Sequence, residues 1–166
     1  SISSAEDGAK ELFLQDGQKV VAQKGVIVST EGPEAERLLE AMGGNQMKAP
    51  VSKKEPVGTM CLYFAAPKPP REGPMLWLNG TGKGLVNNCC SPSSVSSSYA
   101  PAGKSLMSVS IVGVPEMRES EVEEKVREEL SHWFGSGEVS TWQFLRSYTI
   151  PYSQPGQVSC DWLLGI

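Results

Sequence analysis

The stretch that decides the fold runs from Val26 to Pro33 and consists of the residues VIVSTEGP. Its first three residues are consecutive and β-branched, which predicts a short strand covered on both faces. Gly32 permits tight backbone geometry, and Pro33 suits the first helical position, where its missing N–H costs nothing. The stretch therefore predicts a buried strand that turns directly into a helix.

The helix expected after this turn has apolar residues at helical spacing. Leu38, Leu39 and Met42 fall on one face, and Gly43 and Gly44 end the pattern. In α/β proteins, a buried strand that enters a helix through a turn of small residues often lies beside a nucleotide or a flavin. An ordinary strand–helix joint has the same spacing, and that alternative stays open.

A resemblance to a known family begins in the same region. Residues 16–22 (DGQKVVA) and 25–33 (GVIVSTEGP) resemble a recurrent passage of FAD-dependent oxidoreductases of the flavin amine oxidase and phytoene desaturase superfamily. In that family, this passage leads from the flavin domain to the substrate domain. The similarity covers most of residues 8–152, and it continues in order through CLYFAAP at 61–67, LWLNG at 76–80, VNN at 86–88, SYAPAG at 98–103 and YTIP at 148–151.

The resemblance implies FAD as the family's cofactor and places Thr30 and Gly32 nearest to it. It also implies that one face of the substrate-domain sheet lines a cavity beneath the flavin ring. The residues it assigns to that cavity are Tyr63, Trp77, Asn87, Asn88 and Tyr99. Apolar walls with a few amides suit a small apolar or amine-type molecule. Core and turn packing is the alternative for each residue, and no catalytic residue is assigned.

Two parts of the family pattern are absent from this sequence. It contains neither G-x-G-x-x-G nor the carboxyl-terminal segment, typically with Gly-Asp, that returns to the flavin. We therefore expect a portion of such an enzyme: a flavin-side remnant at 1–45, a substrate-domain-like part at 57–152 and an atypical tail at 153–166. Such a chain is not expected to bind FAD or to catalyse a reaction alone. The alternative is a stand-alone α+β binding or interaction domain without redox activity.

The remaining patterns predict an α+β fold, with an antiparallel or mixed sheet of about five strands packed on one long helix. A hairpin with an Asp16-Gly17 turn precedes the first strand and helix. The helix at 119–134 carries the apolar stripe Val122, Val126 and Leu130, with Ser120 and Glu123 as a capping box. Strands are expected at 59–66, 75–78, 84–89, 105–113 and 142–150.

Several short sequence patterns that could indicate a functional site are better explained as turns, surface residues or free thiols. The glycines at 80–84 precede a strand-like segment, which favours a hairpin over a phosphate loop. His132 lies opposite the apolar stripe and is expected at the surface. The acidic residues from Glu119 to Glu129 are expected to form a solvated helix face. With no C-x-x-C spacing and a single histidine, the four cysteines predict reduced thiols and no metal site.

Composition and charge restrict the classes of partner that the chain is expected to bind. The net charge of −4 and the pI of about 5.1 argue against nucleic acid, which needs clustered Lys and Arg. No run of apolar residues approaches a bilayer-spanning length, and no secretory signal is visible, so we expect an intracellular protein. An exposed apolar surface is expected where a flavin domain docks. Either the apolar tail at 162–166 or self-association would cover it.

Overall fold

The computed structural model describes residues 1–4, 9–40 and 55–156. Two compact units divide the chain, and each is described by itself. The second unit spans Val57–Ser153, and the remaining described residues fall in the first. Met42, the Gly43-Gly44 helix stop, Cys160 and the tail at 162–166 lie outside the described residues. The predicted boundaries at 45, 57 and 152 stay a prediction.

The first unit contains an antiparallel sheet of three strands in the order β1 (Ile2–Ser4), β2 (Lys10–Phe13) and β3 (Lys19–Ala22). The hairpin predicted between β2 and β3 is confirmed. At its turn the backbone N–H of Gln18 donates to the Asp16 carboxylate over 3.0 Å, and Gly17 adopts a φ of 83°. Strand β1 had no sequence signal because Ile2 is the only large apolar residue near the amino terminus.

The strand predicted at Val26–Val28 is wrong. These residues belong to no regular element, and the side chain of Ile27 is 93% exposed. A strand needs a neighbour for its backbone N–H and C=O groups, and no described segment pairs with this one. The helix after it forms as α1 (Gly32–Glu40), where Arg37 Nε donates to Glu34 over 2.8 Å.

The second unit is built on a five-stranded sheet in the order β5-β6-β7-β4-β8. Its strands are β4 (Val57–Ala66), β5 (Leu76–Leu78), β6 (Val86–Cys90), β7 (Ser105–Val112) and β8 (Gln143–Gln154), whose last residue belongs to the first unit. Single 3₁₀ turns at Pro92–Ser94 and Ser97–Tyr99 join β6 to β7. Strand β4 pairs with β7, β7 with β6, and β6 with β5, all antiparallel, which confirms the predicted α+β class.

One face of this sheet packs on the helices α2 (Glu119–Phe134) and α3 (Ser136–Val139). The predicted stripe is confirmed, since Val122, Val126 and Leu130 are fully buried. Strands β4 and β7 alternate strictly and place Leu62 beside Val109 in the same core. The sheet is not packed on one helix alone, because Val139 of α3 is also buried in this core.

The start of α2 differs from the predicted capping box of Ser120 and Glu123. The cap is Arg118, whose backbone N–H donates to the Glu121 carboxylate over 3.0 Å. Glu123 instead pairs with Arg127 over 2.8 Å, as its spacing predicts. Gly135 ends the helix with a φ of 89°. Within the described ranges, no helix has both the length and the apolar character that crossing a membrane requires.

Candidate functional site

The second face of the five-stranded sheet, opposite α2, is called the open face below. Its side chains are the residues that alternate with the core positions along the strands. They are half-buried or exposed and chemically mixed. The residues of the open face used below are Cys61 and Tyr63 of β4, Leu76 and Leu78 of β5, Asn88 and Cys90 of β6, Ser108, Ser110 and Val112 of β7, and Tyr148 of β8.

Strand register arranges most of these side chains in two rows. In one row Tyr63 lies opposite Ser108, which lies opposite Cys90. In the next row Cys61 lies opposite Ser110, with Sγ and Oγ 3.9 Å apart, and Ser110 lies opposite Asn88. The rows bring a phenol, an amide, two hydroxyls and two thiols onto one surface. They can offer hydrogen bonds to a small molecule lying on the face.

An aromatic pair borders these rows at β8. The rings of Tyr63 and Tyr148 meet edge to face, with centroids 5.8 Å apart. The guanidinium carbon of Arg146 lies 5.6 Å from the Tyr148 centroid. A hydrogen bond to Tyr148 raises the pKa of Arg146 above its ordinary value. A permanent cation therefore lies over the Tyr148 ring, one of the two rings of the pair.

The predicted cavity residues do not all share this face. Trp77 lies opposite Cys89, which lies opposite Val109, so it belongs to the core row. Its ring packs edge to face on Phe134 of α2 at 5.2 Å. Placing Trp77 with Tyr63 on one face was therefore wrong. All three residues of β5 are large and apolar, so the sequence shows no alternation from which to assign their faces.

The other predicted residues are distributed around the same strands. Asn88 lies on the open face, and its side chain donates to the Asn87 side-chain oxygen over 3.0 Å. Asn87 is exposed at a register shift between β6 and β7. Tyr99 ends the second 3₁₀ turn and is 60% exposed. Of the five predicted cavity residues, Tyr63 and Asn88 are thus placed on the open face by strand register.

Thr30 and Gly32, the residues expected nearest the flavin, lie in the first unit at the exposed start of α1. A Cβ atom added at Gly32 would meet nothing within 4 Å, so this backbone is accessible. However, Glu31 precedes the helix, and Glu34 occupies its first turn. The hydrogen bond from Arg37 lowers the pKa of Glu34 and keeps it ionised. Since carboxylates repel phosphates, the described residues do not complete a pyrophosphate site.

The position of β6 depends on a residue whose role the sequence did not reveal. The carboxylate of Glu129 on α2 accepts the backbone N–H groups of Leu85 over 2.7 Å and Val86 over 2.9 Å. A Cβ on Gly84, whose φ is 87°, would lie 2.5 Å from this carboxylate. The prediction of a solvated acidic face is therefore wrong for Glu129. Its only sequence signal was Gly84, the last glycine of a glycine-rich turn before a strand, and such turns are too common to identify a partner carboxylate.

The connection from β5 to β6 is a hairpin, as predicted. The Asn79 side chain closes it by donating to the carbonyls of Lys83 over 2.7 Å and Val86 over 2.8 Å. The Thr81 hydroxyl donates back to the Asn79 side-chain oxygen over 2.7 Å. These hydrogen bonds within the turn engage the polar groups of Asn79 and Thr81. The turn and the Glu129 carboxylate together hold β6, the strand that carries Asn88, in position.

The thiols and acids of the described residues offer little nucleophilic or metal chemistry. Burial, aided by the neighbouring Cys90, raises the pKa of the Cys89 thiol to about 12. Cys61, Cys89 and Cys90 are free thiols. In the part of the chain that the structure describes, no group of three His, Cys, Asp or Glu residues could hold a metal ion. His132 is exposed on α2, as its position predicts.

Comparisons with known proteins show which sequence family matches this chain and which solved structures share its fold. The model of the family described as flavin containing amine oxidoreductase matches residues 1–163. An oxidoreductase from Methanosarcina mazei aligns with a TM-score of 0.55 and 18% identity, over 90% of this chain and 36% of that one. A protein from Pyrococcus furiosus aligns at 0.51 and 17%, over 88% and 35%. Reduced UDP-galactopyranose mutase aligns at 0.51 and 12%, over 90% and 33%. No curated protein matches the chain in sequence.

The chain thus spans about one third of the length of these solved structures. At such identities their likeness shows a shared fold. The family match extends over nearly the entire chain and agrees with the resemblance carried by residues 16–33. The chain belongs to the flavin containing amine oxidoreductase family.

Proposed function

We propose that this chain is the substrate-side portion of a flavin-dependent oxidoreductase and that its open face is the wall on which a small molecule lies. The observation that carries the proposal is the asymmetry of the five-stranded sheet. One face is closed by α2 and a continuous apolar core, whereas the other presents Tyr63, Asn88 and two serine hydroxyls. Membership of a flavin-containing family supports the redox class.

The side chains of this wall favour an apolar or neutral amine substrate. The edge-to-face pair of Tyr63 and Tyr148 offers aromatic surface for apolar groups. Arg146 holds a positive charge against Tyr148. A protonated amine on the same surface would be repelled by that charge, so an amine would bind in its neutral form. Asn88 and the hydroxyls would orient one polar group of the substrate.

Benzylamine and its neutral analogue toluene test this wall through chemical shifts of the open-face residues. Both are expected to shift the resonances of Tyr63 and Asn88, with benzylamine binding more tightly as the pH rises toward its pKa. Tyr63→Leu should remove this effect, while Tyr99→Leu, outside the paired rows, serves as the matched control. Shifts confined to residues away from the open face would overturn the assignment of the wall.

The chain alone is expected to bind FAD weakly or not at all. The start of α1 carries acidic residues, and the sequence has no glycine-rich pyrophosphate turn. Isothermal titration calorimetry with FAD is expected to give no saturation in the micromolar range. A one-to-one isotherm with a sub-micromolar Kd, and a yellow protein after desalting, would contradict this part of the proposal. It would leave the benzylamine result to decide the open face separately.

A further inference from the structure

A shallow cleft of about 520 Å³ lies along β5 and is lined in part by Leu76, Trp77 and Leu78 of that strand. Three aromatic side chains, Trp77, Trp133 and Phe134, line it together with Arg71 and the turn at 79–81. The Phe134 ring contacts both Trp77 and Trp133 edge to face, at 5.2 and 6.1 Å, so the aromatic wall is continuous. Its volume falls within the usual range of ligand sites.

The backbone beside this cleft is unpaired. Strand β5 is an edge of the described sheet, with β6 as its neighbour. The N–H of Asn79 donates to the Asn87 carbonyl of β6 over 2.9 Å. Because successive residues of an antiparallel strand direct their N–H and C=O groups alternately toward and away from the partner, those of Leu78 and Leu76 point to the free edge.

The side chains of this edge are also uncovered. Leu76 is 61% exposed and Leu78 is 68% exposed, and both line the cleft together with Trp77 between them. Edge strands are usually protected by charged residues, and β5 has none within its three residues. A small molecule in the cleft could cover the leucines, but it would not pair with the row of outward backbone groups along the free edge. An added strand would pair with the amides, cover the leucines and lay alternate side chains into the cleft.

We propose that β5 is a docking edge for a separate extended peptide segment that carries an acidic residue. The acidic residue follows from the charge of the cleft. Arg71 is the one charged side chain lining it, and among the described residues Arg71 forms no ion pair. Two copies paired edge to edge would bring two guanidinium groups into one interface with no carboxylate from either cleft. An acidic peptide supplies the missing charge.

The peptide ETVTVT, labelled with fluorescein, tests the proposal on the full chain by fluorescence anisotropy. Its glutamate and its two valines share one side of the extended chain, so that side can enter the aromatic cleft with the carboxylate toward Arg71. Saturable binding is expected, with slower hydrogen exchange at the amides of Leu76 and Leu78. No binding by a folded protein at millimolar peptide would overturn the proposal.

Two variants separate the backbone and charge contributions. Leu78→Pro removes an outward N–H and is compatible with an edge strand, so the fold should persist while affinity falls about tenfold or more. Arg71→Gln should weaken ETVTVT about twofold to fivefold and leave QTVTVT unchanged. Lys83→Gln, a cation outside the cleft, is the matched control. If Leu78→Pro instead halves the mass of a dimer in sedimentation, a second copy occupies the edge and the proposal is wrong.

Discussion

Glu129 fixes the first residues of β6 to α2 through two backbone hydrogen bonds. Replacing Glu129 by Gln is expected to lower the free energy of unfolding by about 1–3 kcal/mol. The amide oxygen can accept one N–H, but the amide nitrogen then faces the second N–H as another donor. Urea denaturation measures the loss. Glu128→Gln, an exposed neighbour on the same helix, is the control, and equal midpoints for both variants would contradict the anchoring role.

Cys89 is a buried thiol whose environment suppresses ionisation. With its pKa raised to about 12, its thiolate at pH near 8 is about a thousandfold scarcer than that of a thiol with a pKa near 9. In native protein, iodoacetamide is therefore expected to modify Cys89 only after unfolding. Peptide mapping by mass spectrometry measures this, with labelling in urea as the control. Rapid modification of Cys89 in the folded state would contradict its burial.

The same thiol gives a pH dependence with a defined sign. The unfolded chain releases this proton near pH 9, whereas the folded chain holds it until about pH 12. The contribution of Cys89 to stability is therefore complete below pH 9 and is lost progressively as the pH rises toward 12. Cys89→Ala should show a shallower decline of unfolding free energy across this interval than the unmodified chain. Identical slopes would show that Cys89 does not titrate as described.

At the scale of elements, helix α2 closes one face of the sheet through Val122, Val126 and Leu130. Leu130→Ala is expected to destabilise the second unit by about 2–5 kcal/mol, because removing these buried side-chain atoms leaves a cavity in the core. Val126→Ala removes fewer atoms and should cost less. His132→Ala, on the exposed side of the same helix, should change the unfolding free energy by less than about 0.5 kcal/mol. An unchanged midpoint for Leu130→Ala would refute the packing.

The elements that the sequence predicted correctly are those whose pattern is self-contained. Strands β4 and β7 alternate buried and half-buried residues along most of their length, and α2 carries one apolar stripe. Val26–Val28 has an equally good strand composition, yet it is not a strand, because a strand also needs a neighbour that composition cannot supply. Propensity and periodicity are properties of a segment itself, whereas strand pairing depends on which other segments lie beside it.

The candidate site was predictable only where alternation could be followed along a strand. Tyr63 falls between two core positions, so its face can be assigned from sequence once β4 is recognised. Trp77 lies in three consecutive apolar residues, and only its register with Cys89 assigns it to the core. Glu129 could not be distinguished from its acidic neighbours, because its two hydrogen bonds connect residues more than forty positions apart.

At the scale of the molecule, one side of the five-stranded sheet is covered by α2 and the core, and the other side, the open face, stays exposed. Val112 of β7 is 62% exposed and Tyr148 of β8 is 50% exposed, and the leucines of β5 are exposed at the opposite edge of the sheet from β8. Apolar surface of this kind usually marks a contact with a partner or ligand. We therefore expect this face to contact a ligand or another molecule.

The isolated chain is accordingly expected to associate with itself at high concentration through the open face. The double variant Val112→Thr and Tyr148→Thr keeps residues that favour strands but removes apolar surface. It should bind less hydrophobic dye and show a weaker rise of mass with concentration in light scattering. Val95→Thr, at a position 75% exposed but outside the open face, is the matched control. A chain that stays monomeric throughout, with equal dye binding for all three proteins, would show that this surface needs no cover.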